Sequence, residues 1–328
     1  MDIAKNKVAI LLCYFGPLPV NFDLWQESCG CNPSFDFYLV TDQHILPQYE
    51  NVFCIPATLK DVRARLSAAL NRPVALDHPY KLCDYKPMYG VAFQDILRDY
   101  EFWGMCDMDM IFGDLSSFIR ADILLNYDKI FRLGHLTFYR NQDWVNWSFQ
   151  RPGMVDWIDV IRDNYHHRLC ERGMMDKHDR IPELRSYTPF LYIDVSKIHR
   201  RYRRSNFLVP RDCRLNYRYQ AFYWEDGKVF RAARIRGRIS VDEFAYIHFQ
   251  KRELKPHTVR PKRPFFITGN TFLEKEPGIP TLADIQKANP YPGFVYEAYE
   301  EAIYGRHKRK EQKKRDQMIA RIEQERER

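Results

Sequence analysis

The sequence lacks both a long apolar run and the paired cysteines that hold zinc. Its 328 residues contain no stretch near the roughly 18 to 20 consecutive apolar residues of a transmembrane helix. Residues 1–7 lead straight into a strand-like segment, without the apolar region of a secretory leader. The eight cysteines show no Cys-x-x-Cys spacing, so we interpret them as reduced thiols. We therefore expect a cytoplasmic protein.

The sequence also has little net charge outside its C-terminal end. Residues 306–328 hold ten Lys/Arg and five Asp/Glu, a net charge of +5 out of +8 for the whole chain. Two interpretations of this basic tail stay open: a solvated helical or disordered segment, or one that docks on the anionic inner face of the plasma membrane. The basic clusters lack a nucleic-acid-binding signature, so we expect no nucleic-acid partner.

What the chain does contain is a strand and helix alternation typical of α/β proteins. Apolar segments at 7–13, 35–40 and 52–55 alternate with helical spacing at 22–29 and 59–70. This order predicts a parallel sheet that is covered on both faces. In such sheets the ligand lies beyond the carboxyl ends of the strands.

A further strand, predicted at 102–106, ends at the acidic pair Asp107-Met108-Asp109, and a helix interrupted early by Pro87 is predicted before it, over 81–99. In extended backbone Asp107 and Asp109 point to one side while Met108 faces the core. Two close carboxylates repel each other unless a cation lies between them, and oxygen ligands suit Mg²⁺ or Mn²⁺. Short acidic pairs are also common in solvated turns, so the motif alone leaves both interpretations open.

Five ordered motifs accompany the pair. They are YFG at 14–16, PYKLCDYKPMYG at 79–90, WGMCDMDMIFGDL at 103–115, RLGHLTFYRN at 132–141 and YIHFQKR at 246–252. Their order resembles a family of bacterial capsule and O-antigen polysaccharide glycosyltransferases with a GT-A fold, and the resemblance covers about residues 7–255.

The resemblance implies a Rossmann-like mixed α/β sheet flanked by helices. Residues 1–265 would form the glycosyltransferase domain, with a donor half at about 1–135 and an acceptor half at about 136–265. An extension at 266–305 and the tail at 306–328 would follow. The implied activity is metal-dependent transfer of a hexose from a nucleoside-diphosphate sugar, expected to be UDP-linked and galactose-type. The acceptor would be a glycan or a lipid-linked oligosaccharide in surface polysaccharide synthesis.

The same resemblance assigns roles to individual residues. Asp107 and Asp109 would hold the ion and reach the donor, and His248 would be a further ligand that favours Mn²⁺ over Mg²⁺. The other donor-binding candidates are Tyr14 and Asp42 at the base, Lys81, Asp84, Lys86 and His135 at the sugar, and Lys251 and Arg252 at the leaving diphosphate.

Each of these residues also has an ordinary structural interpretation. His248 and His135 are also typical of core histidines, and Asp84 is typical of a helix cap among solvated lysines. Tyr14 and Asp42 are equally typical of a loop aromatic and a strand-end cap.

The catalytic base is the least defined element. An inverting enzyme needs a carboxylate near the acceptor hydroxyl, and Asp176 and Asp179 are the candidates because their segment reads as a loop. Glu225-Asp226 resembles a known base motif, but Asp226-Gly227 between two apolar runs predicts a β-hairpin, which we favour. A retaining enzyme would need no such base.

Two other classes of function stay open. Phosphohydrolases and phosphotransferases of the haloacid-dehalogenase type also place D-x-D after an apolar strand, but they carry Thr or Val where Ile111 stands here. The Tyr14-Phe15-Gly16 loop has no role in that class. A non-catalytic carbohydrate-binding relative is the third possibility, and the intact acidic pair with His248 argues against it.

Overall fold

The computed structural model describes residues 7–152, 155–170, 181–195, 203, 216–250, 252–303, 305–306, 309–310 and 313. The chain divides into two compact units, Met1–Leu191 and Tyr192–Arg328. The first unit is a mixed α/β structure whose large mixed sheet is flanked by helices. The predicted donor and acceptor halves stay predictions.

The sheet of the first unit is built on four parallel strands. Its strands are β1 (Val8–Tyr14), β2 (Phe35–Thr41), β3 (Val52–Pro56), β4 (Phe102–Cys106), β6 (Lys129–Leu133), β7 (Leu136–Arg140) and β8 (Ser186–Tyr187). The short strand β5 (Met110–Phe112), between β4 and β6 in the chain, is not part of this sheet. They pair in the order β3-β2-β1-β4-β7-β6-β8. The first four are parallel, as predicted, and β7 joins β4 in antiparallel orientation.

The apolar runs account for this sheet. β4 is buried at every position, and β1 at every position except its last, Tyr14. A continuous apolar run suits a central parallel strand because both of its faces are covered.

Helices α1 (Phe22–Gly30) and α2 (Leu59–Leu70) lie where the helical spacing predicts them. α2 begins at a capping box, in which Thr58 and Asp61 satisfy each other's backbone N–H groups. The segment predicted at 81–99 is instead divided into short turns: α3 (Leu82–Tyr85), α4 (Tyr89–Ala92) and α5 (Gln94–Leu97), with 3₁₀ turns at Pro79–Lys81 and Lys86–Met88. Pro87 has no N–H to donate, which explains one of these interruptions.

The remaining helices of the first unit are short. They are α6 (Leu115–Phe118), α7 (Ala121–Asn126), α8 (Asp143–Asn146) and α9 (Trp157–Arg162), with a 3₁₀ turn at Ser148–Gln150.

The second unit is mostly β-structure. Its strands are β9 (Ile193–Asp194), β10 (Gln220–Glu225), β11 (Lys228–Ile235), β12 (Arg238–Phe244), β13 (Tyr246–His248), β14 (Phe265–Ile267) and β15 (Phe272–Glu274). Five of them form an antiparallel sheet in the order β12-β11-β10-β14-β15. Helix α10 (Leu282–Ala288) contributes Ile285 and Ala288 to a cluster with Ala221 and Ala232 of this sheet. A further helix covers 294–303.

The predicted hairpin at Asp226-Gly227 is confirmed. Glu225 pairs with Lys228 across a two-residue loop. Asp226 has φ 50° and Gly227 has φ 75°. Positive φ at both loop residues is the signature of the type I′ turn that Asp-Gly favours.

Asp128 forms the buried anionic centre of an arginine cluster in the first unit. Its side chain is 4% exposed. It accepts hydrogen bonds from Arg140 Nε at 2.9 Å and from Arg185 Nε at 3.0 Å. Burial raises the pKa of Asp128, but the hydrogen bonds from Arg185 and Arg140 outweigh burial, so the net shift is downward.

A lowered pKa makes this cluster a pH-dependent source of stability. The unfolded carboxyl has a pKa of about 3.9, so the stabilisation should be complete above that pH and be lost as the pH falls through the folded-state value. We expect Asp128→Asn to lower the free energy of unfolding at pH 7, and the difference from wild type to shrink below about pH 4. Urea unfolding at pH 7, 5, 4 and 3 measures this. A difference that stayed constant down to pH 3 would contradict it.

None of the described helices combines the length and the hydrophobicity that a membrane span requires.

Candidate functional site

The candidate site lies where the order of the parallel strands reverses. β2 and β3 lie on one side of β1, and β4 lies on the other. In open α/β sheets the crevice beyond the carboxyl ends of the strands at this switch point is the usual place for a ligand. Tyr14 ends β1 and Asp107 directly follows β4, so two predicted site residues lie at this crevice.

Asp107 and Asp109 converge as predicted. Their carboxylate oxygens lie within 4.8 Å of each other. Met108 between them is 4% exposed, whereas both aspartates are partly exposed. The backbone bends at 108–109 instead of continuing as a strand. The buried Asn21 side chain donates to the Met108 carbonyl at 3.3 Å, which supports the bend.

Lys86, a predicted donor-binding residue, contacts the acidic pair directly. Its Nζ contacts the Asp107 carboxylate and donates to the Gly134 carbonyl at 2.9 Å. Its side chain is only 6% exposed. Burial acts to lower the pKa of Lys86, but the charge of Asp107 outweighs it and the pKa is raised. The lysine therefore stays cationic and fixes the orientation of Asp107.

The turn between β6 and β7 lies beside the same aspartate. The Asp107 N–H donates to the His135 carbonyl at 3.1 Å. Leu136, the next residue, pairs with Cys106 at the end of β4. The structure thus brings His135 next to the acidic pair, with its side chain 7% exposed. Its assignment to the transferred sugar stays a prediction.

Tyr14 is the last residue of β1, and Asp42 directly follows β2. Asp42 Oδ1 accepts from the Gly16 N–H at 3.1 Å, and the Tyr14 hydroxyl donates to the Pro17 carbonyl at 2.9 Å. Hydrogen bonds from the Gln43 side chain and the Gly16 N–H lower the pKa of Asp42. Burial and, after it, the charge of Asp109 raise the pKa of Tyr14. The negative charge of Asp109 therefore acts on the Tyr14 hydroxyl.

Lys81 and Asp84 form a fully buried ion pair. Both side chains are 0% exposed, and Nζ lies 3.1 Å from Oδ2. Asp84 also accepts from the backbone N–H groups of His167 at 2.8 Å and Leu169 at 3.0 Å. The pair therefore holds His167 and Leu169 in place. The alternative of a helix cap among solvated lysines is wrong, because Asp84 caps no helix and both Lys81 and Lys86 are buried. The donor-binding assignment of both residues stays a prediction.

The other candidates lie in the second unit or outside the described residues. His248 Nδ1 is 2.9 Å from Asp194 Oδ1, and Gln250 Nε2 donates to the other Asp194 oxygen. A carboxylate on one ring nitrogen is the arrangement that commonly orients a metal-binding histidine. Arg252 Nε donates to the Gly269 carbonyl at 2.7 Å. Lys251, Asp176 and Asp179 lie outside the described residues.

Comparison with known proteins gives a family. A family model matches residues 10–276, which is most of the chain. The chain belongs to DUF6625, a family of unknown function. The match includes the acidic pair and the motif at 246–252. No curated protein matches the chain.

Two crystal structures of the glycosyltransferase GlyE from Streptococcus pneumoniae TIGR4 are similar to part of the chain. One shows 12% identity and a TM-score of 0.32, and it covers 57% of this chain and 46% of that chain. The apo form shows 14% identity and a TM-score of 0.33, with 56% and 45% covered. The chain thus spans about half the length of these structures. Scores of this size do not establish a shared fold.

The carboxylate oxygens of Asp107 and Asp109 are ligands of the kind that a hard divalent cation binds. Two carboxylates supply oxygen ligands, which Mg²⁺ and Mn²⁺ prefer. Lys86 neutralises one of the two charges, and the partial exposure of Asp107 and Asp109 gives access from solvent. The residues that would hold such an ion in this unit are therefore Asp107 and Asp109.

Sequence reasoning missed two contacts of the candidate residues. No local sequence signal pairs Asp194 with His248, which lies 54 positions later in the chain. The contact between Lys86 and Asp107 was also missed, since the two residues are 21 positions apart. Local helical spacing reveals neither contact, because the partners are 21 and 54 positions apart.

Proposed function

We propose that the chain is a metal-dependent glycosyltransferase with a GT-A-type, Rossmann-like donor domain. It would move a hexose from a nucleoside-diphosphate sugar, UDP-linked and galactose-type, to a glycan or lipid-linked acceptor in bacterial surface polysaccharide synthesis. The observation that carries the proposal is the convergence of the Asp107 and Asp109 carboxylates at the switch point of a parallel sheet. That place in an α/β sheet is suited to a phosphate-bearing ligand and its cation.

Each residue at and around the acidic pair would have its own role in binding the donor. Asp107 and Asp109 would hold Mn²⁺ or Mg²⁺, which supplies positive charge to the leaving diphosphate when bound. Lys86 keeps Asp107 in one orientation, and Tyr14 would offer its ring to the nucleotide base beside Asp42. His248 as a further ligand, and Lys251 and Arg252 at the diphosphate, are proposed from the sequence resemblance alone.

The reaction needs one bond to form and one to break. The acceptor oxygen bonds to the anomeric carbon, while the bond from that carbon to the diphosphate oxygen breaks and its electron pair leaves with the diphosphate. The acceptor proton passes to a base, for which Asp176 and Asp179 are the candidates if the configuration inverts. Cations and oriented donors stabilise the charge that develops on the leaving group.

A donor panel tests this function. Purified full-length protein is incubated with UDP- and GDP-sugars, with Mn²⁺, with Mg²⁺ or with EDTA, and released nucleoside diphosphate is measured. We expect release with at least one donor, and its loss in EDTA. In parallel, UDP with Mn²⁺ should raise the melting temperature, since a ligand at about 100 times its Kd stabilises the folded state by about 2.7 kcal/mol.

The same assay separates the other classes. Inorganic phosphate released from a phosphate ester, without nucleoside diphosphate, would indicate a phosphohydrolase. A melting shift without turnover would indicate a binding protein. Neither release nor a metal-dependent shift with any nucleotide would overturn the proposal.

A further inference from the structure

The helix at 294–303 exposes several of its apolar side chains to solvent. Phe294 is 73% exposed, Val295 is 82% exposed and Tyr299 is 61% exposed. Ala298 and Ala302 of the same helix are exposed as well. Single exposed apolar residues are ordinary, but several on one helix face form a patch that typically marks an interaction site.

Two acidic residues of this helix pair with a buried arginine. Arg203, which is 8% exposed, lies with Nη2 at 2.7 Å from Glu301 and with Nη1 at 3.4 Å from Glu297. Glu300 is 5% exposed. Surface helices normally turn apolar residues inward and charges outward. Here Glu300 is buried whereas Phe294, Val295 and Tyr299 are exposed, so burial within this unit does not account for these three apolar residues.

Basic residues continue the exposed face toward the C-terminus. Arg306, Arg309, Lys310 and Lys313 are helical and exposed. Among the described positions, 295, 299, 302, 306, 309 and 313 advance by alternating steps of four and three, the spacing that is typical of one side of a helix. The face therefore changes from apolar to cationic along its length. We call residues 294, 295, 298, 299, 302, 306, 309, 310 and 313 the exposed stripe.

We propose that the exposed stripe docks on an anionic lipid surface, with its aromatic and aliphatic end inserted at the headgroup boundary and its basic end on the headgroups. Amphipathic helices bind membrane interfaces through this combination of apolar burial and attraction to anionic lipids. A second copy of the chain fits less well, because the exposed stripe contains four cations and no acidic residue, so two stripes brought together would repel each other. The proposal is independent of the catalytic function.

Vesicle sedimentation with the full-length protein tests the docking surface. One set of vesicles is pure phosphatidylcholine, and the other contains one third phosphatidylglycerol. We expect wild type to bind the anionic set selectively and to bind less at high salt, because salt screens the basic end. Phe294→Ser/Val295→Ser/Tyr299→Ser should weaken binding about tenfold or more. Replacing the four cations by glutamine should weaken it about a hundredfold.

A matched control comes from the first unit. Leu46 and Leu125 are 75% and 74% exposed, so Leu46→Ser/Leu125→Ser removes similar apolar surface elsewhere. This variant should bind anionic vesicles like wild type. The proposal is overturned if the triple serine variant also binds like wild type, or if wild type binds neither vesicle set. A dimer in ultracentrifugation that the triple variant abolishes, without vesicle binding, would make the stripe an interface between copies.

Discussion

Replacing Asp109 by asparagine should reduce metal-dependent transfer about 10²- to 10³-fold, equivalent to about 3 to 4 kcal/mol of transition-state stabilisation. Asparagine keeps the size of the side chain but removes the charge that a divalent cation requires. Asp109 is the better position to test, because Asp107 also forms an ion pair with the buried Lys86. Replacing Asp107 would therefore change stability as well as metal binding. Initial rates with saturating donor and Mn²⁺ measure the effect.

Stability provides the control for this substitution. The Asp107 and Asp109 oxygens lie within 4.8 Å of each other, so removing one charge relieves repulsion. Without metal, the melting temperature of Asp109→Asn should therefore equal or exceed that of wild type. Asp143→Asn, in the first turn of α8, makes the same chemical change at an exposed position and should leave the rate unaltered. Full activity in Asp109→Asn would place the metal site elsewhere.

Replacing Asp84 by asparagine should lower the free energy of unfolding by about 3 to 5 kcal/mol, because it leaves a buried lysine without its counter-ion. Lys81 is 0% exposed, and water cannot take over the function of the carboxylate. Asp84 also holds the N–H groups of His167 and Leu169, and an amide oxygen replaces only one of these acceptors. Urea unfolding followed by circular dichroism measures the change.

A second variant separates anchoring from donor binding. Lys81→Met in the Asp84→Asn background removes the orphaned charge and should recover part of the lost stability. Asp122→Asn, at an exposed pair with Arg120, should leave stability nearly unchanged. If Asp84→Asn instead keeps its stability and loses donor affinity, the donor-binding assignment is correct and the anchoring role is wrong.

The parts of the fold that follow from local pattern were predictable. The strands at 8–14, 35–41 and 102–106 are apolar at nearly every position, and such runs need a two-sided sheet whatever their partners. The Asp226-Gly227 turn is determined by the φ values that these two residues tolerate.

The parts that depend on distant contacts were not predictable. Lysines in PYKLCDYK are typical of a solvated helix start, yet Lys86 donates to Gly134, 48 positions away, and Lys81 to Tyr165, 84 positions away. No helical or strand period encodes such a partner. The same holds for the helix at 294–303, where Glu297 and Glu301 pair with Arg203, which lies more than 90 positions earlier in the chain.

The position of β1 between β2 and β4 has a consequence for the order of folding. Val8 pairs with Phe35 on one side and with Phe102 on the other, over sequence separations of 27 and 94 residues. Closing the longer loop costs about 1 kcal/mol more in chain entropy. We expect β1, β2 and β3 to associate first and β4 to join them later. The acidic pair would then be completed late in folding, so a nascent chain should acquire its metal affinity only after the parallel sheet has formed.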